Sequence, residues 1–379
     1  MRIGFEAKRA FHNFVGLGNY ARSLLQGLGT HYPEHEYWAY TPPFNDERAK
    51  IWAANLPPAV KVCLPHGLGR LCPSLWRSAR LTKTIKKDKL DIFHGLSHEL
   101  PSDIKDWPGK KIVTIHDLIF LRYPEYFSKI DRYIFQKKFT FAVTQADMVI
   151  AISESTKHDL MEILHVPEEK IRVIYQTCNP LFYEEVSSDL KESLRCKYNL
   201  PYKYILYVGS FTKRKNVLSL VKALKLAQQI NDIPLVLIGR GDVVKEQIRD
   251  LAAELKISRK IIFLENVPTN HLPALYQNAT VFVYPSLFEG FGIPIIEALF
   301  SKIPVITSLG SCFREAGGEG QIYVDPHNAE QLGQAIIEVT ENEDLRQKMI
   351  QAGTSYVQRF REENTLQAML KLYQDLLGH

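Results

Sequence analysis

What most constrains the fold of this chain is an alternation that runs through it twice. Short apolar runs that close on polar residues alternate with longer stretches of helical periodicity. Asp91-Ile92-Phe93-His94-Gly95 and Ile112-Val113-Thr114-Ile115-His116-Asp117 are such runs. Strands of a parallel sheet are covered on both faces, so they read as unbroken apolar segments and present polar side chains only at their carboxyl ends. The pattern predicts strands near 2–6, 36–41, 60–64, 91–94, 111–115, 147–151 and 171–174, with helices near 17–29, 74–87, 129–145 and 154–164. Gln176-Thr177-Cys178-Asn179-Pro180 interrupts it. A second series follows, with strands near 203–208, 234–238, 260–263, 280–284, 303–306 and 321–324. Its helices fall near 215–229, 242–255, 270–277, 294–300 and 328–338, and two more near 343–355 and 360–377 follow. The fold class is therefore α/β, with two doubly wound, Rossmann-like domains facing across a cleft.

The remaining composition excludes several classes. A chain of 379 residues that is 45% hydrophobic can fill two or three cores and is not disordered. The five cysteines, an odd number with no CxxC pair, fit a reducing compartment rather than a disulfide scaffold or zinc ribbon. No apolar run reaches the roughly 18 residues of a membrane span, and no signal-peptide core follows Met1. The expected location is cytoplasmic, extending to the inner face of the membrane. A net charge of +5 is too small to imply nucleic acid. Its cations crowd the first half, at Lys83, Lys86, Lys87, Lys89, Lys110, Lys111, Arg132, Lys137 and Lys138. These are either solvated helix faces or a surface for an anionic partner such as phospholipid.

Four constellations carry chemistry. Gly16-Leu17-Gly18-Asn19-Tyr20-Ala21 matches the G-x-G-x-x-A pattern, with Glu36 downstream. The preceding strand, however, ends well before Gly16, unlike a dinucleotide fingerprint. The loop either offers backbone N–H groups to a phosphate or sugar oxygen, or is only a tight turn. In Gly209-Ser210-Phe211-Thr212-Lys213-Arg214-Lys215-Asn216 a strand end is followed by three cations and a helix start, which suits a diphosphate; the alternative is an ordinary basic loop. In Glu289-Gly290-Phe291-Gly292-Ile293-Pro294-Ile295-Ile296-Glu297, two carboxylates flank backbone that a ligand can approach closely. Carboxylates accept hydrogen bonds from the hydroxyls of a sugar or ribose. A first-turn Glu also complements the helix dipole, which accounts for Glu297 alone. His116-Asp117 at a strand end is either a substrate contact or a satisfied core imidazole. There is no DxD and no His/Cys/Asp/Glu cluster with metal spacing, so no metal is expected.

At these residues the chain resembles the group-one retaining glycosyltransferases, which have the GT-B fold. Arg214-Lys215-Asn216 and His116-Asp117-Leu118 with Pro124-Glu125 point to the mannosyltransferase-like branch. The resemblance implies an N-terminal acceptor domain over 1–178, completed by a returning helix at 360–379, and a nucleotide-sugar donor domain over 179–359. It implies transfer of a sugar, mannose foremost, from a nucleotide-diphosphate sugar (GDP-mannose first) to a saccharide or lipid-linked acceptor in cell-surface polysaccharide synthesis. No further cofactor is implied, and peripheral membrane contact would run through the basic first half. Catalytic roles fall on His116, Glu289, Arg214 and Lys215. Donor contacts fall on Gly16, Gly18, Gly209, Arg214, Lys215, Gly239, Val267, Glu289, Gly290, Phe291, Gly292, Ile293 and Glu297. Ser210 stands where many members carry a basic residue, so Arg214 and Lys215 bear the diphosphate. The alternatives are a sugar-nucleotide isomerase on the same fold, a catalytically silent sugar-nucleotide binder and a dinucleotide oxidoreductase.

Overall fold

A computed structural model describes residues 1–228 and 230–378. The chain divides into two units, Met1–Gln176 with Glu362–His379, and Thr177–Arg361. The crossing thus falls at 176/177 rather than 178/179, and the return at 361/362 rather than 359/360. The side chains explain the shift. The Gln176 amide bonds His116 of the first unit at 2.9 Å, whereas Thr177 meets Tyr183 of the second at 2.6 Å. Arg361 lies over the rings of Tyr183 and Phe300, also in the second unit.

The first unit holds a seven-stranded parallel sheet. Its strands are β1 (Arg2–Glu6), β2 (Glu36–Tyr40), β3 (Val60–Cys63), β4 (Ile92–Gly95), β5 (Lys110–Ile115), β6 (Met148–Ala151) and β7 (Ile171–Val173). They run in the order β3-β2-β1-β4-β5-β6-β7. The second unit holds six, β8 (Ile205–Val208), β9 (Leu235–Ile238), β10 (Ile261–Leu264), β11 (Val281–Tyr284), β12 (Val305–Ser308) and β13 (Ile322–Val324), in the order β10-β9-β8-β11-β12-β13. The apolar strands are central for the expected reason: β4, β9, β11 and β12 are buried along their whole length. In each sheet the winding direction reverses once, between β1 and β4 and between β8 and β11. At such a reversal the loops leaving two adjacent strands diverge and open a crevice at their carboxyl ends.

Several short elements have no counterpart in the expected pattern. The helices Lys8–His12, Glu47–Ala54, Ser188–Lys197 and Phe313–Gly317 are present, and the helix expected near 74–87 is broken by a π-helical stretch, Trp76–Arg80. The last helix, Glu362–Leu377, packs within the first unit and buries Leu366, Met369, Leu372 and Tyr373. Burying each such side chain contributes about 1.5–3 kcal/mol. Tyr373 also reaches His94 at 2.8 Å, and His94 bonds Thr114 at 2.8 Å, so this buried imidazole is satisfied on both sides.

The Gly16–Gly18 segment opens the helix Gly16–His31 after the short helix Lys8–His12. Its two glycines do different work. A Cβ on Gly18 would stand 1.7 Å from the Asn13 carbonyl oxygen and 2.9 Å from that of Arg9. Arg22 holds the same turn by donating to the carbonyls of Ala10 and Asn13 at 2.7 and 2.8 Å. A Cβ on Gly16 would meet nothing within 4 Å. Gly18→Ala should therefore cost about 1–3 kcal/mol in urea unfolding, while Gly16→Ala should be neutral or slightly stabilising. Equal stability of the two variants would refute this packing argument.

Candidate active site

The reversal point of the second sheet gathers the charged residues of two sequence motifs. After β8 the chain turns through Lys213–Lys215 to Asn216, which adopts a left-handed conformation (φ 56°) ahead of the helix Val217–Ala227. After β11 it runs through Pro285–Phe288 to Glu289. Backbone stitches the two loops together: the Leu287 N–H donates to the Arg214 carbonyl at 2.9 Å. The Asn216 amide donates to the carbonyls of Pro285 and Pro326 at 3.1 and 2.7 Å. Those bonds offset the cost of the left-handed Asn216.

Glu289 stands at the centre of this arrangement, with its side chain only 11% exposed. Lys215 Nζ lies 2.6 Å and an Arg214 guanidinium nitrogen 2.7 Å from its Oε1. Ser286 donates to the same oxygen at 2.5 Å and Tyr284 at 3.2 Å. All four contacts converge on Oε1, leaving none of them on Oε2. Lys215 also donates to the Tyr284 hydroxyl at 2.5 Å, and Arg214 donates to the Phe288 carbonyl. Burial pushes the Glu289 carboxyl up, but the charges of Lys215 and Arg214 outweigh it and hold the group at about 2. Burial draws the Lys215 ammonium down, and the Glu289 charge opposes that. The result is two basic side chains converging on one ionised carboxylate at the carboxyl edge of a parallel sheet.

The backbone around the cluster fits close approach. Gly292, with φ 96°, precedes the helix Ile293–Phe300, while Gly290 and Phe291 are buried beside Glu289. Ser311 clamps the Glu289 peptide, accepting from its N–H at 3.2 Å and donating to its carbonyl at 2.9 Å. Gly239 lets two strand ends meet, since a Cβ there would stand 1.9 Å from the Gly209 carbonyl oxygen. The Gly239 and Gly209 N–H groups are spent on Leu264 and Ile238 within the sheet edge. Val267 is half-buried in the loop after β10. Glu297 lies one turn into its helix and accepts from the Tyr276 hydroxyl at 2.9 Å. Burial raises its carboxyl to about 7 against the weaker opposite pull of that bond.

His116 belongs to the first unit and is 4% exposed at the end of β5. Its Nε2 lies 2.9 Å from the Leu96 carbonyl and its Nδ1 2.9 Å from the Gln176 amide nitrogen. The pairing assigns a neutral ring that donates from Nε2 and accepts at Nδ1. Burial holds its pKa down at about 4. Both ring nitrogens are thus satisfied internally, as the core-imidazole reading expects, and ligand contact through either would require exchanging a bond. The expectation of no metal-like cluster needs correction. His158, Asp159 and Glu162 place their ligand atoms within 4.8 Å of one another, because one helical turn separates 158 from 162. Arg122 pairs with both carboxylates and already supplies the countercharge.

Comparison with known proteins places this geometry. The family profile for glycosyl transferases group 1 matches residues 191–376, and that for glycosyltransferase family 4 matches 15–180. The O-antigen chain mannosyltransferase RfbU of Salmonella typhimurium is 30% identical over 255 residues, 67% of either chain. This chain belongs to the group 1 glycosyltransferases. The O-antigen chain mannosyltransferase B of Escherichia coli is 26% identical over 285 residues, 74% of either chain, and places it in the mannosyltransferase-like branch. The Anabaena protein HepE, solved with UDP and glucose, superposes with a TM-score of 0.79 at 18% identity, covering 99% of this chain and 100% of its own. That likeness gives the fold of this group 1 glycosyltransferase as GT-B.

The structure brings together Arg214, Lys215, Glu289, Gly290, Phe291 and Gly292 of the expected site. Sequence reasoning passed over the anchors Tyr284, Ser286 and Ser311. Tyr284 and Ser286 stand in the Tyr-Pro-Ser that leads into Glu289, whereas no local signal marks Ser311. The raised Glu297 carboxyl gives a measurable consequence. Folded protein takes up this proton more readily than unfolded chain, whose carboxyl titrates near 4.5. Its contribution to stability is complete below that pH and is lost as pH rises toward about 7. Relative to Glu297→Gln, the glycosyltransferase should lose roughly 1–3 kcal/mol of stability between pH 4.5 and 7.5. Urea unfolding across that range checks it, and parallel profiles would refute it.

Proposed function

We propose that the enzyme transfers a hexose, mannose foremost, from a nucleoside-diphosphate sugar to a saccharide or lipid-linked acceptor, in the synthesis of cell-surface polysaccharide. The observation that carries this reading is the Arg214–Lys215–Glu289 cluster at the reversal point of the second sheet. Similarity to proteins named O-antigen mannosyltransferases supports the choice of mannose, and with it GDP-mannose as donor. We assign donor binding to the second unit and acceptor binding to the first.

Cleaving a sugar–pyrophosphate bond builds positive charge on the anomeric carbon and negative charge on the leaving oxygen. Arg214 and Lys215 oppose the second charge, and Glu289 fixes both cations before the reaction begins. Such preorganised charge costs no rearrangement in the transition state. Oε2 of Glu289 remains to accept from a hydroxyl of the donor sugar, with the backbone of Gly290–Ile293 alongside. Glu297 in its ionised form accepts from the ribose. The resemblance to retaining enzymes favours attack from the face of the departing phosphate, which itself takes the acceptor proton. His116 of the first unit, neutral and bonded through both ring nitrogens, serves as a positioning residue rather than as a proton carrier.

The same reading places the enzyme on the cytoplasmic side of a membrane. Among the described residues no helix is long and apolar enough to cross one. The helix Lys129–Gln145 exposes Ile130, Tyr133 and Ile134 beside Lys129, Lys137 and Lys138, a composition suited to a membrane surface.

Arg214→Ala should lower kcat/KM for donor transfer by about two to three orders of magnitude, equivalent to about 2–4 kcal/mol of transition-state stabilisation. Its thermal unfolding should change little, because Lys215 still pairs with Glu289. Thermal shift with GDP, UDP and ADP identifies the base, since a ligand of the native state alone raises Tm. A variant within threefold of wild type would refute the assignment. Transfer should also persist in EDTA, because the cations that oppose the leaving charge are side chains. Full loss on chelation, restored by Mg²⁺, would show otherwise.

A further inference from the structure

The two carboxylates of the Glu289–Glu297 motif are held in opposite ways. Glu289 takes four contacts on one oxygen, two of them from cations. Glu297 is half-buried and takes a single one, from the Tyr276 hydroxyl to its Oε2 at 2.9 Å. Among the described residues no cation lies within 4.0 Å of Glu297, and nothing donates to its Oε1. Tyr276 lies in the last turn of the helix Leu272–Gln277 and is 0% exposed. Its ring meets Phe182 edge-on with centroids 5.4 Å apart, and Phe282 of β11 at 5.2 Å. Both of those rings are buried in turn. A buried hydroxyl is costly unless it is hydrogen-bonded, and a phenylalanine would fill the same space without that demand. The hydroxyl is therefore spent on Glu297. Burial, and after it the Glu297 charge, push the phenol well above its ordinary 10, so it stays a donor at any working pH.

A cation beside Glu297 would neutralise it, as Lys215 and Arg214 do for Glu289. A neutral donor acts differently: it fixes the direction of the carboxyl group and leaves its charge unspent. An ionised carboxylate has about four acceptor positions, of which Tyr276 takes one. The cis-diol of a ribose offers two hydroxyl donors on adjacent carbons. Hydrogen bonds to an ionised acceptor are roughly twice as strong as those between neutral groups. We propose that Tyr276 is a positioning residue that orients Glu297 to accept from both ribose hydroxyls of the nucleotide sugar, and so sets the enzyme's preference for ribose over its deoxy forms. Being wholly buried, Tyr276 reaches no substrate atom and acts through Glu297 alone. This rests on the reading of Glu297 as the ribose acceptor and names the residue that makes it selective.

The test uses the full chain, Tyr276→Phe, Glu297→Ala and the double variant. Tyr276→Phe keeps the ring between Phe182 and Phe282, so the fold is retained. GDP, UDP and ADP are titrated into each protein by calorimetry, beside the 2′,3′-dideoxy form of whichever binds wild type. Wild type is expected to prefer the ribonucleotide by about tenfold or more, since a site built to bond a hydroxyl rejects the analogue lacking it. Tyr276→Phe should narrow that preference to about threefold or less, while its affinity for the dideoxynucleotide stays within about twofold. In the Glu297→Ala background the same substitution should change neither affinity by more than about twofold, because the two residues act as a pair. An undiminished preference in Tyr276→Phe overturns the proposal. So does an equal loss of affinity for both nucleotides, the mark of a merely structural role, or a further loss on top of Glu297→Ala. Wild type that binds nucleotide without preferring ribose overturns the assignment of Glu297, and wild type that binds none overturns the donor site; the proposal falls with either.

Discussion

The second unit is organised around one carboxylate oxygen. Oε1 of Glu289 accepts from Lys215, Arg214, Ser286 and Tyr284, so groups from one strand and two loops meet at a single atom. Burying a carboxylate is costly unless the charge is paired and hydrogen-bonded. Here the two cations more than compensate, and their own desolvation is eased in return. The loops after β8 and β11 cannot move independently without breaking this junction. The Leu287–Arg214 backbone bond and the two acceptors of Asn216 enforce the same registration. Arg214 and Lys215 are thereby held in place by the fold itself, with no ligand needed to order them.

The first sheet repeats the arrangement with different chemistry. Its reversal point places Glu6 and Glu99 on either side of Arg77, where the second sheet places Arg214 and Lys215 on one Glu. The histidines nearby are neutral for a common reason. His94 and His116 are buried and His98 is half-buried, and loss of solvent is the main cause that lowers each. A proton on His98 or His116 would add charge to a region where Arg9 already acts.

Much of this was legible in the sequence because parallel strands leave an unmistakable trace. Runs such as Leu235–Ile238 and Val281–Tyr284 have no polar face to disguise them, and the strand positions follow directly. The short helices were harder. Glu47–Ala54 is announced by Asp46, whose side chain accepts from the Arg48 N–H, and Ser188–Lys197 by Ser187 in the same way. These cap signals were present but lay in stretches too brief to show periodicity. The Glu289 motif was readable since its residues are contiguous. Its bond to Lys215 was not, because 74 positions separate the two and only the sheet order brings them together. Nor does the local sequence mark Arg77, whose partners Glu6 and Glu99 lie 71 and 22 positions away. His116 shows the opposite limit: its place at a strand end was clear, but the bonds that quiet both nitrogens come from Leu96 and Gln176.

The return of the helix Glu362–Leu377 to the first unit makes the second unit, in topological terms, an insertion within it. During synthesis the ribosome therefore releases all thirteen of the described strands before the first unit can close. Until then the helix Gly16–His31 lacks Leu366, which packs beside Gly27, and His94 lacks the Tyr373 hydroxyl. The second unit, continuous from Thr177 to Arg361, faces no such delay. The half of the enzyme translated first is thus the half that matures last, and the core side chains that Leu366, Met369 and Tyr373 cover stay open to solvent until then.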